Sequence, residues 1–414
     1  MATIKPFRAF RPTSALAERV AALPYDVMNS QEAREQAKDN PYSFLHVDKA
    51  EIDLAPDVDL YDAAVYQKAN ENLQRMIAEG TYVQDDTPCL YIYEQTFRQK
   101  TQTGLVGCAA VDEYQNNTIQ KHELTRADKE ADRIRHVDTL NANTGPIFLT
   151  YRKNVEISAI LDAYKTAEQP VYDFVSDDVR QRVWVLADAK LISKLTALFE
   201  TVPKLYIADG HHRAASAVRV AEKRRAAMPN YDKNAEFNFF LAVYFPAEEL
   251  TILDYNRLVM DLNGKTKATF LDDLAKKFVI EPQGKTAYAP KTRHTFGLYL
   301  EKNWYALTLR HGLVDEEDPV ASLDASVLQT LVLTPLLSIG DPRTDARIDF
   351  VGGIRGLKEL ERRVDSGEMT LAFSMCPVST DELMAIADAG KIMPPKSTWF
   401  EPKLLSGLFV HFLK

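Results

Sequence analysis

Residues 204–227, KLYIADGHHRAASAVRVAEKRRAA, change periodicity midway. Leu205–Ala208 is a short apolar run after Pro203, the pattern of a buried strand, and everything beyond Gly210 repeats as an alanine-rich helix. A strand, a one-glycine turn and a helix in succession make an α/β connection, and a chain built this way covers a sheet with helices. The alternation extends upstream. Tyr61–Glu79 carries Ala64, Val65, Leu73, Met76 and Ile77 before Gly80, the spacing of an amphipathic helix with a glycine stop. Asn29 or Ser30 is placed to cap a short polar helix. Leu90–Phe97 and Leu105–Tyr114 flank a polar turn and predict a hairpin. A charge-rich helix over about 126–141, capped by Thr125, precedes the strand PIFLTY; EISAILDAYKTA and Ala189–Glu200 are helical, with strands VYDFV and RQRVWVLAD between them. Downstream come the strand NFFLAVYF, a helix over Lys267–Phe278, a hairpin from HTFGLYL and YALTLR, and an apolar helix around Leu323–Leu337. The fold class is α/β of the mixed α+β kind, with a further mixed-sheet part at the C-terminal end.

At 414 residues the chain has room for two to three domains. The division is drawn at the interruption MPNYDK, giving 1–230 and 231–414. Hydrophobic residues at 46% and charged residues at 26% exclude disordered and collagenous classes. A net charge of −9 is the wrong sign for a phosphate backbone, so no nucleic acid partner is expected. Cys89, Cys108 and Cys376 form no CxxC pair and fit a reducing compartment. The first twenty residues lack the apolar stretch of a signal peptide, and no run reaches the ~18 apolar residues needed to span a bilayer. A cytoplasmic protein without a membrane partner is expected.

Four segments concentrate polar chemistry. In IADGHHRAASA, a glycine after a strand lets the backbone approach a ligand, and the following N–H groups with the helix dipole suit an anion. Gly210, His211, His212 and Arg213 are therefore candidates for phosphate, with a capped turn and packing histidines as the other reading. Adjacent histidines without an HExxH spacing argue little for zinc, whereas Mg²⁺ carried mainly by substrate phosphates could use Asp209. In QKHELTRADKEADRIRHVD, Glu123 stands between a strand and a helix start as a candidate general base, with Lys129, Arg133 and Arg135 nearby; a dipole-stabilised acid on a solvated face is the alternative. GDPRTDARIDFVGG sets Arg343, Asp345, Arg347 and Asp349 at period two, a salt-bridged ladder along one strand face or a polar wall. MPPKSTWFEPK places Lys396, Ser397 and Thr398 in a proline-stiffened loop that could meet an anion or simply be a rigid tail. PYDV and NPYSFLHV are unusual, but composition assigns them no role.

Taken in order, PYDV, NPYSFLHV, the HELT segment, ADGHHRAAS and PPKSTWFEPK resemble the domain of unknown function 1015 family across essentially the whole chain. More distantly, an HE pair followed by a DGHHR turn is similar to the ParB/sulfiredoxin-like superfamily, including its free serine kinases. That likeness implies a ParB/sulfiredoxin-like nucleotide-binding core, with an insertion over about 153–200 between Glu123 and Asp209. It implies Glu123 as base, with His122 and Asp209 beside it in the catalytic set. It also implies phosphate binding by Gly210, His211, His212 and Arg213. Beside these, Lys396 and Ser397 are candidates for phosphate from their loop, and Thr125 and Arg133 are candidates for substrate contacts. Sulfiredoxins carry a cysteine where this chain has His211, which argues against sulfinic acid reduction. The expected activity is a small-molecule kinase using ATP or ADP and Mg²⁺, acting on a hydroxyl metabolite such as free L-serine. The other readings are a nucleotide-dependent regulatory module and a nucleotide phosphohydrolase; a homodimer is left open.

Overall fold

The computed structural model describes residues 1–414. The chain folds into two compact units, one of residues 1–250 with 402–414, the other of 251–401. The strand Phe239–Pro246, which lies beyond residue 230, therefore belongs to the first unit.

The first unit is built on an eight-stranded mixed sheet. Across it run Ile119–Gln120, Leu205–Asp209, Ile147–Tyr151, Phe239–Pro246, Lys100–Ala110, Leu90–Phe97, Val179–Leu186 and Tyr172–Ser176. Its central strands Ile147–Tyr151 and, beyond the half-buried Phe239, Phe239–Pro246 are buried, as continuous apolar runs require when both faces are covered. The edge strand Tyr172–Ser176 instead alternates, with Val175 exposed. Tyr151, Phe199 and Tyr244 meet edge to face in the core. The segment 153–200 forms the two helices Val155–Ala167 and Ala189–Phe199 around the two outermost strands, so it widens the sheet at the edge away from Leu205–Asp209.

Local signals explain most of these elements. The helix Ala63–Ala78 starts where the Asp62 side chain accepts from the Ala64 amide and is followed by Gly80 at φ +76°. Asn29 and Glu32 form a capping box on Ser30–Ala37. Two expectations shift. The second hairpin strand runs Lys100–Ala110 and gives way to a short helix, Val111–Gln115. Thr125 does not cap the following helix: that helix is Ala127–Leu140, Arg126 holds the N-cap position, and the Thr125 hydroxyl donates to Glu130 at 2.6 Å.

The second unit holds a six-stranded antiparallel sheet in the order Phe278–Gly284, Asn303–Leu309, Thr295–Leu300, Leu371–Ser374, Tyr255–Val259 and Ile348–Gly352. The apolar helix expected over 323–337 is present as α-helix at both ends with a π-helical stretch, Gln329–Leu333, between them. The Arg/Asp ladder is not a ladder, because the strand begins only at Ile348. Asp341 and Asp345 instead accept from the amides of Arg343 and Arg347, turning the chain, and also pair with those arginines' side chains.

Candidate functional site

Strand Leu205–Asp209 pairs parallel to Ile119–Gln120, with Leu205 opposite Ile119 and Tyr206 opposite Gln120. Parallel neighbours leave the sheet at the same end, so the His122–Glu123 pair and the DGHHR turn emerge side by side although Glu123 and Asp209 stand 86 positions apart. A register shift between Ile207 and Asp209 re-aims the end of the strand just before the turn. Gly210 then takes φ +90° and ψ 30°, a left-handed conformation in which glycine bears no Cβ strain, and the helix His211–Ala227 begins. The first intrahelical bond runs from the Ala214 amide to the Gly210 carbonyl, so the amides of residues 211–213 form the positive end of a 17-residue helix.

Two histidines and one acid meet at this junction. The His122 and His211 rings stand edge to face with centroids 4.5 Å apart, and Glu123 Oε2 lies 3.7 Å from His211 Nδ1. Both histidines are buried, whereas Glu123 is 46% exposed and looks outward. Neither nitrogen of His122 has a hydrogen-bond partner, nor does Nε2 of His211. Burial pushes His211 down to about 4, against the pull of Asp209, and burial beside His211 holds His122 well below the ordinary histidine range, so both rings favour the neutral form.

Asp209 is already charge-paired. Its Oδ2 accepts from Lys403 Nζ at 2.7 Å and its Oδ1 from the Gly210 amide at 2.8 Å. Burial raises its pKa, but Lys403 and the amide overcome this and hold it below the usual range. For Asp209 to ligate a metal, the Lys403 pair would have to open.

The other candidate residues are largely engaged. Arg213 is packed against Gly145, where a Cβ would sit 2.5 Å from Nη1; its Nη2 lies 3.1 Å from Ser406 Oγ and 3.4 Å from Asp48 Oδ2. His212 Nε2 accepts from the Arg126 amide at 3.0 Å, tying the turn to the HELTR segment. Arg133 pairs with Asp132 and stacks on the Tyr25 ring, which also faces Arg213. A cavity of about 20 Å³ bounded by Asp48, Arg133, Gly145 and Arg213 takes a water at most. In the second unit, the Ser397 hydroxyl donates to the Pro394 carbonyl at 2.7 Å and Lys396 Nζ lies over the Tyr255 ring.

Four contributors to this region lie outside the motifs' expected roles: Lys403, Tyr25, Asp48 and Gly145. Three had a signal. Tyr25 sits in PYDV, Asp48 directly follows NPYSFLHV, and Lys403 ends FEPK. Gly145 had none, because only the packed guanidinium reveals the need for a missing Cβ.

Fold and site together define a mixed α/β protein whose main sheet sends two polar motifs out at one edge. Residues 4–326 match the family described as protein of unknown function (DUF1015), and the chain belongs to that family. No curated protein matches. Among solved structures, a free serine kinase in complex with AMP is similar at 14% identity and TM-score 0.33, covering 72% of this chain and 86% of that one. A conserved hypothetical protein from Pyrococcus furiosus aligns at 15% identity and TM-score 0.33, over 73% and 92% of the two chains. SbnI from Staphylococcus aureus, truncated at its C-terminus, aligns at 10% identity and TM-score 0.37, over 72% and 85%. No helix is long and apolar enough to cross a membrane.

Proposed function

We propose that this protein transfers a phosphoryl group from ATP or ADP to the hydroxyl of a small metabolite, with free L-serine the first acceptor to test. The observation that carries the reading is the approach of Glu123 to the DGHHR turn, 3.7 Å from His211. Phosphoryl transfer needs positioning and charge stabilisation more than covalent chemistry. The exposed Glu123 carboxylate would take the hydroxyl proton, and the amides at the helix start would receive phosphate oxygens. Lys403 keeps Asp209 ionised beside the turn, and Arg213 stiffens the first helical turn through Asp48 and Ser406. Mg²⁺ would ride on the nucleotide phosphates rather than on the lysine-paired Asp209.

The test incubates the protein with Mg²⁺, ATP or ADP and a pool of hydroxyl metabolites including L-serine, and searches for phosphorylated products by mass spectrometry. Glu123→Gln is expected to lower turnover by about 10²–10⁴-fold while nucleotide affinity stays near wild type. A near-normal rate would remove Glu123 as base. Nucleotide binding without product would favour a regulatory module, and free phosphate as the only product a phosphohydrolase.

A further inference from the structure

The phosphoryl-transfer reading leaves His122 without work. It is 2% exposed, and both of its ring nitrogens lie buried without a partner, as does Nε2 of His211. Unsatisfied buried polar atoms are rare and costly, so two touching buried rings that both carry them call for a ligand. One ligand atom from each of His122, Glu123 and His211 falls within 4.8 Å of the others.

We propose that His122, Glu123 and His211 bind a divalent cation of the zinc class, with two imidazoles and one carboxylate as protein ligands and an open position toward solvent. Four-coordinate zinc holds N and O ligands at about 2.0–2.2 Å, so the three groups must draw inward by roughly an ångström. Glu123, the exposed member, is the one placed to move. Two imidazoles select zinc, cobalt or ferrous iron over magnesium, which prefers an all-oxygen shell. The site is distinct from Asp209, whose carboxylate is taken by Lys403. This inference does not rest on the phosphoryl-transfer reading. Glu123 cannot be ligand and base at once, so an ion-loaded protein and a phosphoryl-transferring one would be different states.

The test strips the full-length protein with chelator and titrates it with Co²⁺, followed by the ligand-field absorption of a four- or five-coordinate ion, and with Zn²⁺ by calorimetry. Neither readout depends on turnover, so a failed kinase assay leaves this result standing, and the reverse holds. The expected result is one ion per chain, weakened at least about tenfold in His122→Ala and His211→Ala. Glu123→Gln, at an exposed position that should fold normally, is expected to weaken it comparably. His46→Ala, whose ring is held by Asp53 elsewhere, should bind as wild type. No ion bound by wild type, or binding that survives all three ligand substitutions, would overturn the proposal.

Discussion

Gly145→Ala should destabilise the protein through a residue 68 positions away. A Cβ at Gly145 would lie 2.5 Å from Arg213 Nη1, 2.7 Å from Cζ and 2.9 Å from Nη2. Ordinary contact is about 3.5–4.0 Å, so the guanidinium must retreat by about 1 Å. Overpacking of this kind costs about 1–3 kcal/mol. The retreat also breaks the Nη2 contact to Asp48, which stands at only 3.4 Å. Complete loss of a partner to a buried charge costs about 3–5 kcal/mol, but Arg133 still faces Asp48, so only part of that is incurred. The sum is about 2–4 kcal/mol. Gly145 has no left-handed φ, so backbone strain contributes nothing. The assay is urea unfolding of four proteins: wild type, Gly145→Ala, the double variant Asp48→Asn/Arg213→Met, and the triple. Methionine ends short of the clashing atoms, so in that background the alanine should be neutral or stabilising by about 0.4–1 kcal/mol through the unfolded chain. Equal costs in both backgrounds, within about 0.5 kcal/mol, would refute the reasoning.

Two further outcomes are expected. Burial pushes Glu113 up to about 7 from 4.5, against a hydrogen bond from Thr3, and leaves its Oε2 without a partner. The folded state therefore holds the extra proton between those values, and stability from this group is present below about pH 4.5 and lost as pH rises to 7. Relative to Glu113→Gln, the wild type should lose on the order of 3 kcal/mol across that window, and parallel stability-against-pH curves for the two proteins would contradict it. Gly210→Ala meets no atom closer than 3.6 Å, so its cost should be the left-handed backbone alone, about 1–2 kcal/mol, with Gly210→Asn milder; equal melting temperatures for the two would exclude that origin. The Glu123→Gln and cobalt experiments described above complete the set, and they separate the acid's use as a base from its use as a ligand.

Periodicity alone determined the mixed α/β class, the hairpin at Leu90–Phe97, the helix before Gly80 and the strand–turn–helix at Gly210, because each depends on neighbours a few positions apart. The motif HE, with Glu123 as its acid, and the motif DGHHR were both legible. Tertiary structure decided what those residues can do. Parallel pairing of two short strands set Glu123 against His211, Lys403 formed an ion pair with Asp209, and Arg213 turned inward to Asp48 rather than out to solvent. Gly145 was silent in the sequence for the same reason: its role is an absent atom, defined only by the side chain that fills the space. A sequence records which groups are present and their local period, whereas partners 86 or more positions away are chosen by how strands stack into a sheet.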